Sequence, residues 1–336
     1  MTDPTTPVTT KDMTMQAITH RSYGTADVVE LQDVDTPAVG PADVLVAVRA
    51  ASLNYADWHR LTGTPYLIRL QSGLRRPERT ILGSDAAGIV EAVGSNVARF
   101  APGDAVFGRR AGGMLAEYAS VPETQLVHKP ANVTFEQAAA VGVAAFTALQ
   151  GLRDKGHVQP GDRVLIKGAS GGVGTFAVQI AKSFGAHVTA VCSTPNVDTV
   201  RAIGADEVID YTRQDLIEGG QRYDVMLDIA GNQSLSECRR LLQRDGIYVL
   251  VGGPKGRWLG PIPRLIRALL LSLVVSQTLT SFTSHETAED LRVLRDLIAA
   301  GTVTPVIDRT YERSEAADAL RYLGDGHARG KIIVSM

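Results

Sequence analysis

A chain of 336 residues with 44% hydrophobic side chains is long enough for about two domains, each with its own core. Its formal charge of −2 offers no broad field for nucleic acid or for an anionic membrane, so neither is expected as a partner. Two cysteines, Cys192 and Cys238, are too few for a disulfide framework and fit a reducing, cytoplasmic setting.

Residues 1–14 are rich in Thr and Pro and lack both the basic start and the apolar centre of a secretory leader; a disordered tail is expected there. From Met15 to about Pro130, short apolar runs alternate with Gly and Pro turns: VLVAVRAAS at 44–52, GIVEAVG at 88–94, and AVFG after the PGD turn at 102–104. This pattern predicts a β-rich unit without a long helical period. Thr134 followed three residues later by Gln137 is a capping box, and it predicts a helix from Thr134 to Gly151.

Beyond Gly161 the rhythm changes. Strands RVLIKG (163–168), HVTAVC (187–192), EVID (207–210), YDVMLDIAG (223–231) and IYVLVGG (247–253) alternate with amphipathic segments at 173–185, 197–204 and 235–243. Near-continuous apolar strands separated by helices predict a parallel sheet covered on both faces. A helical pair at about 261–275 and 286–300 follows; the strand from Val306, the helix 314–323 and the strand KIIV (331–334) are expected to rejoin the first unit. The apolar run ALLLSLVV, Ala268 to Val275, is far shorter than the roughly 20 residues that cross a bilayer, so a buried or interface helix is expected rather than a membrane span.

The chemical signal with the clearest mechanism follows the strand RVLIK. Gly168-Ala169-Ser170-Gly171-Gly172-Val173-Gly174 opens the helix TFAVQIAKSFG, in the order strand, glycine loop, helix. Glycines at 168, 171 and 174 permit a tight turn, close backbone approach to a diphosphate, and close packing of helix on strand. The free N–H groups at the start of that helix are positioned to hold the phosphates. A site for NAD usually carries an acid about 20 residues further on, on the ribose 2′-OH. Here the second strand ends Cys192-Ser193-Thr194, and Ser193 can hydrogen-bond a 2′-phosphate that a carboxylate would repel; NADPH is therefore the expected cofactor. Asp198 and Asp206 are the acids that would argue for NADH.

Six segments together resemble one superfamily: Ser52-Leu53-Asn54-Tyr55-Ala56-Asp57, ILGSDAAGIVEAVG (81–94), PGDAVFG (102–108), GASGGVG (168–174), GADEVIDY (204–211) and GHARGKIIV (326–334). The chain resembles the medium-chain dehydrogenases/reductases. That resemblance implies an α/β fold, a Rossmann doubly wound parallel sheet over 139–304 joined to a GroES-like β-rich substrate domain over 15–138 and 305–336. Where zinc alcohol dehydrogenases of this superfamily carry a Cys and a His-Glu pair, the chain has Asn54 and Ser84-Asp85, and neither cysteine lies in the β-rich part. The resemblance thus narrows to the zinc-free branch of quinone oxidoreductases, alkenal reductases and enoyl reductases, especially a reticulon-interacting-protein-like group, with no metal site expected.

In that branch the glycine loop, the residue after the second strand and the Tyr closing GAD…Y embrace NADPH. Those roles fall on Gly168, Ser170, Gly171, Gly172, Val173 and Gly174, on Ser193 with Asn196 nearby, and on Tyr211. Thr147, in AAFTALQ, matches a family Thr near the carboxamide; Gly253 and Lys331 complete the expected cofactor set. Many relatives carry a Lys where this chain has Pro195-Asn196-Val197-Asp198, so Arg201 or Lys182 would have to meet the 2′-phosphate.

Without zinc, charge developing on the acceptor needs hydrogen-bond donors, which suits a quinone or an α,β-unsaturated carbonyl better than an unactivated alcohol. The candidate donors are Asn54, Tyr55 and Tyr66, and the run Leu67 to Arg79 is expected at the rim of the pocket. Two other functions stay open at this point: a zinc-dependent alcohol dehydrogenase and a non-catalytic, crystallin-like NADPH-binding protein. A homodimer is expected through the edges of the Rossmann sheets, with IYVLVGG (247–253) or a neighbour at the edge.

Overall fold

The structure, a computed structural model, describes residues 14–217, 219–252, 262–272, 275–326 and 328–336. Most of the expected tail and the cofactor candidate Gly253 lie outside the described residues. The first described strand opens at Thr14: β1 (Thr14–His20) and β2 (Val29–Asp35) form an antiparallel hairpin. Next, β3 (Asp43–Leu53) leads into α1 (Tyr55–Thr62) and α2 (Arg69–Ser72). The strands β4 (Asp85–Val93), β5 (Ala105–Arg109), β6 (Tyr118–Pro122) and β7 (Leu126–His128) then complete the β-rich part, with β3 paired to both β4 and β6.

The helix expected from Thr134 to Gly151 is instead two helices, α3 (Phe135–Ala139) and α4 (Gly142–Gln150), followed by a π-turn over Gly151–Lys155. Its capping box forms, with Gln137 N donating to Thr134 Oγ1 at 3.2 Å and Thr134 N donating to Gln137 Oε1 at 3.0 Å. The break has a local cause. The Asp85 carboxylate occupies the end of α4: a Cβ on Gly142 would lie 2.0 Å from Asp85 Oδ1, and Val143 N donates to both Asp85 oxygens at 3.0 Å. The helix restarts where its first free amides meet a negative charge, an arrangement that orphan N–H groups and the helix dipole both favour.

The second sheet is built from β8 (Arg163–Lys167), α5 (Gly172–Ser183), β9 (His187–Cys192), α6 (Val197–Ala202), β10 (Glu207–Asp210), β11 (Tyr223–Asp228), α7 (Leu235–Arg240), β12 (Leu242–Leu250), α8 (Ile262–Ser272) and β13 (Thr278–Ser281), with α9 (Ala288–Ala299) packed on α4. All six strands are parallel, in the order β10-β9-β8-β11-β12-β13. Val164, Leu165 and Ile166 of β8 are wholly buried, as a strand covered on both faces requires. The order in which the chain adds strands reverses between β8 and β11, and the crevice at the carboxyl ends there is the place where such sheets bind ligands.

The C-terminal strands β14 (Ile307–Glu312) and β15 (Lys331–Ser335), bridged by α10 (Ala316–Asp325), return to the first sheet, where β15 runs antiparallel to β3 with Ile332 opposite Leu53. The strand expected at a sheet edge over 247–253 corresponds to β12, which is paired on both sides; its neighbour β13 is the edge. Among the described residues no helix is long and apolar enough to cross a membrane.

Burial pushes both thiols, Cys192 on β9 and Cys238 on α7, up to about 11. A thiol-reactive disulfide reagent at about pH 8 is therefore expected to label neither cysteine in the native protein and both after denaturation. Stoichiometric labelling of the native chain would contradict the packing of β9 and α7.

Candidate active site

The glycine loop lies at the reversal point. Gly168 N and Ala169 N donate to Val191 O at 3.2 and 3.1 Å, and Gly171 N donates to Gly168 O at 3.2 Å, so the loop is folded back onto the neighbouring strand before α5 begins. Gly171 is the N-cap of α5, and Gly172, Val173 and Gly174 are its first-turn residues, whose N–H groups have no carbonyl four residues back within the helix. A Cβ on Gly174 would stand 2.1 Å from Gly168 O, whereas one on Gly171 would meet only Gly168 O at 3.5 Å. Gly174 is thus required for the loop itself, and Gly171 leaves open space in front of it. Such a cradle of amides at the start of a 12-residue helix fits the diphosphate of a dinucleotide.

Beside it, one side chain links the loop to the other sheet. The stem of Lys331 lies 3.0 Å from the Cβ position of Gly172, while its ammonium donates to Asn54 Oδ1 at 2.5 Å and Leu53 O at 3.0 Å. Asn54 caps α1 and passes the network on, its Nδ2 donating to Asp85 Oδ2 at 2.8 Å and lying 3.5 Å from Asp57 Oδ2. Asp57 in turn accepts from Ser84 Oγ at 2.8 Å, and Ser84 Oγ accepts from Arg60 Nη1 at 2.8 Å.

The charges balance: Asp57 and Asp85 face Lys331, 3.9 Å from Asp85, and Arg60, 3.5 Å from Asp57. Burial raises the Asp57 carboxyl above its ordinary value against the pull of Arg60 and Ser84, and burial lowers Lys331 against Asp85 and Asp57. Both amide ends of Asn54 are engaged in this network, which makes it a node holding the start of α1.

Tyr55, the first residue of α1, is exposed, with its ring centroid 6.1 Å from that of His59. Tyr66 opens a short 3₁₀ turn and lies beneath the Arg69 guanidinium at 4.8 Å; Arg69 also covers Tyr23 and donates to Gly63 O, so this arginine of the expected rim braces the loop. Thr147, on α4, places its hydroxyl 2.7 Å from Val143 O and 3.0 Å from Ser284 Oγ.

At the end of β9, Ser193 Oγ accepts from Asn196 Nδ2 at 3.0 Å, and the exposed Tyr211 is held there by its N–H bond to Cys192 O at 3.1 Å. Three acids in this neighbourhood are matched by cations. Asp198, fully exposed, is 3.5 Å from Arg201; Asp210 takes bonds from Thr194 and Thr212 hydroxyls and lies 3.7 Å from Arg213; Asp206 has both oxygens on Lys182 at 2.8 Å. Lys182 sits in the last turn of α5, at the opposite end from the glycine loop, so it is removed from the set of cations able to reach a 2′-phosphate.

Sequence reasoning missed Asp57 and Asp85 as partners of Asn54, with Ser84 and Arg60 behind Asp57, and gave Lys331 a cofactor role without its bond to Asn54. The Asn-x-x-Asp spacing was a readable capping-box signal for the first of these. Among the described residues no group of three or more His, Cys, Asp or Glu side chains is placed to hold a metal ion.

Residues 40–131 match the family model "Alcohol dehydrogenase GroES-like domain" and residues 203–334 match "Zinc-binding dehydrogenase". The chain is 34% identical to the chloroplast envelope quinone oxidoreductase homolog of Arabidopsis thaliana, over 95% of this chain and 98% of that protein. It is 32% identical to the chloroplastic NADPH-dependent alkenal/one oxidoreductase of the same plant, over 95% of this chain and 79% of that one. The solved quinone oxidoreductase from Coxiella burnetii superposes with a TM-score of 0.85 at 28% identity, covering 96% of this chain and 100% of that chain. With this coverage added to the glycine loop and the cleft network, the chain belongs to the medium-chain dehydrogenase/reductase superfamily, in its quinone oxidoreductase branch.

Proposed function

We propose that the protein is an NADPH-dependent oxidoreductase that transfers hydride to a quinone or an α,β-unsaturated carbonyl without zinc. The observation that carries this reading is the double contact of Lys331, whose stem packs on the phosphate loop and whose ammonium reaches Asn54. A single side chain joins the cradle for the dinucleotide to the mouth of the acceptor cleft. The nicotinamide supplies the hydride when bound; the protein grips the diphosphate with the Gly172, Val173 and Gly174 amides and walls the ring with Thr147. The relatives' printed activities, on quinones and on alkenals, support the same chemistry.

Zinc independence rests on the donor set. Where a catalytic metal would need about three nitrogen, sulfur or carboxylate ligands, the cleft offers Asn54, Ser84 and Asp85, with the Lys331 ammonium already supplying positive charge beside them. Asn54 fixes the start of α1, and the hydroxyls of Tyr55 and Tyr66 are the donors assigned to the acceptor's oxygen. Preference for NADPH rests on Ser193, Asn196 and Tyr211 and on the balanced charges around them, where Arg201 and Arg213 are exposed cations. The same reading includes a homodimer paired through the β13 edges and a reducing cytoplasmic setting that suits two unpaired buried thiols.

Oxidation of NADPH against a panel of quinones, enals and enones, with NADH as control, tests this. Turnover with NADPH is the expected result. Binding without turnover of any acceptor would favour the crystallin-like reading. Ser193→Asp is expected to reverse the cofactor preference by lowering NADPH affinity at least about tenfold, a change of about 1.4 kcal/mol. Unchanged NADPH affinity in that variant would remove Ser193 from the phosphate site.

A further inference from the structure

A cavity of about 520 Å³ lies where the two sheets meet, lined by Arg109, Gln125, Phe146, Ser284, Glu286 and Leu291. It shares a wall with the site already described, because Ser284 is the residue that meets the Thr147 hydroxyl. Arg109 ends β5 directly opposite Asp85, the partner of Asn54, so it stands one strand away from the cleft network.

What distinguishes this cavity is unspent hydrogen-bonding capacity. Arg109 is only 9% exposed, yet its Nε and Nη1 have no hydrogen-bond partner among the described residues, and neither does Gln125 Oε1. Glu286 Oε1 lies 3.2 Å from Arg109 Nε without meeting it in hydrogen-bond alignment, and it leaves the cavity with one charge of each sign. Buried polar groups are nearly always satisfied, and a buried charged donor left unmet is costly. Two unmet nitrogens of one guanidinium, an unmet amide oxygen, a carboxylate that balances the arginine's charge, and apolar walls from Phe146 and Leu291 describe a neutral, flat ligand that carries oxygen at its far end.

Resting on the reading above, we propose that the far oxygen of a quinone acceptor seats in this cavity, accepting from Arg109 as a carbonyl and donating to Gln125 Oε1 as a hydroxyl after reduction. The balance is simple: the quinone gains a hydride from the dihydronicotinamide and a proton from water, its two C=O bonds become C–O–H bonds, and the nicotinamide is left oxidised. Negative charge that develops on the far oxygen before protonation faces the Arg109 guanidinium, a preorganised donor in a sheltered site. An enal or enone has a single carbonyl and makes no such demand. Arg109 and Gln125 are therefore specificity-determining for quinones over enones.

The test compares Arg109→Met, Arg109→Lys and Gln125→Leu with the wild type, in quinone and enone turnover and in calorimetric binding of the hydroquinone product. Arg109→Met is expected to lower kcat/KM for the quinone at least tenfold while leaving that for an enone and the affinity for NADPH unchanged. Arg109→Lys should recover part of the loss, and Gln125→Leu should weaken hydroquinone binding more than it raises KM for the quinone. Equal losses on quinone and enone, or none on either, overturn the proposal while the hydride-transfer reading stands. If the wild type reduces neither acceptor, that reading falls; hydroquinone binding that Arg109→Met abolishes then still supports the cavity assignment, and hydroquinone binding that the variant leaves intact overturns it.

Discussion

Gly174→Val is expected to abolish dinucleotide binding and to lower stability, because its Cβ would stand 2.1 Å from Gly168 O and within 2.7 Å of two Ala169 backbone atoms. Those contacts are with backbone, which cannot turn aside as a long side chain can. Overpacking of this kind costs about 1–3 kcal/mol, and here the strain falls on the loop that presents the amides. Gly171→Ala separates binding from folding. At that position a Cβ meets only Gly168 O at 3.5 Å, an ordinary contact, and the backbone angles of φ −82° and ψ 176° are open to any residue. The alanine variant should therefore melt with the wild type but bind NADPH at least about tenfold more weakly, because its methyl group stands where the diphosphate approaches. Fluorescence titration with NADPH, beside a thermal melt, reads both variants. Undiminished affinity in Gly171→Ala would mean that the diphosphate does not rest on this loop.

The second large effect concerns the buried charges. Lys331→Met removes the cation between Asp85 and Asn54 and leaves the two buried carboxylates, Asp57 and Asp85, with the partly exposed Arg60 alone. Breaking one partner out of such a cluster typically costs about 3–5 kcal/mol, because the remaining charge stays buried without compensation. The dependence on pH has a definite sign. Asp57 already binds its proton more tightly in the folded chain than in the unfolded one; a group of that kind stabilises fully below its unfolded value, and the contribution is lost as pH rises through the folded value. Removing Lys331 takes away an opposing positive charge and widens that window, so the variant should be least stable at neutral pH and recover toward the wild type as the medium is acidified. Adding Asp85→Asn removes the second charge, and the double variant should be more stable than Lys331→Met alone, the coupling expected of residues in one network. Denaturant melts across pH measure this. Equal stability of Lys331→Met and wild type at neutral pH would show that the cluster does not depend on its ammonium.

Much of the fold was legible because its signals are local and repeat. The apolar strands HVTAVC and EVID coincide with β9 and β10, and the order strand, glycine loop, helix marks the one crevice where a doubly wound sheet reverses. The capping box at Thr134 was equally local. The helix it starts could not be read to its end, since α4 is reset by Asp85, 57 residues before Gly142 in the chain and visible as a neighbour only once the two parts are packed. Asn54 was readable as the residue standing where relatives carry a metal ligand. That its amide is engaged at both ends by Asp85 and Lys331 was not, because those partners come from β4 and β15. Lys182 failed as a phosphate cation for a related reason: proximity in sequence to the glycine loop hides a whole helix length between them. Arg109, Gln125 and Glu286 carried no motif at all, and only the junction of the sheets reveals that they share a cavity.

The most direct measurement of hydride transfer without a metal is the loss of NADPH absorbance when a quinone is added to protein stripped of metal by chelation and dialysis, before and after zinc is restored. Full turnover in the stripped protein, unchanged by added zinc, is the predicted result. No oxidation until zinc is returned would contradict it.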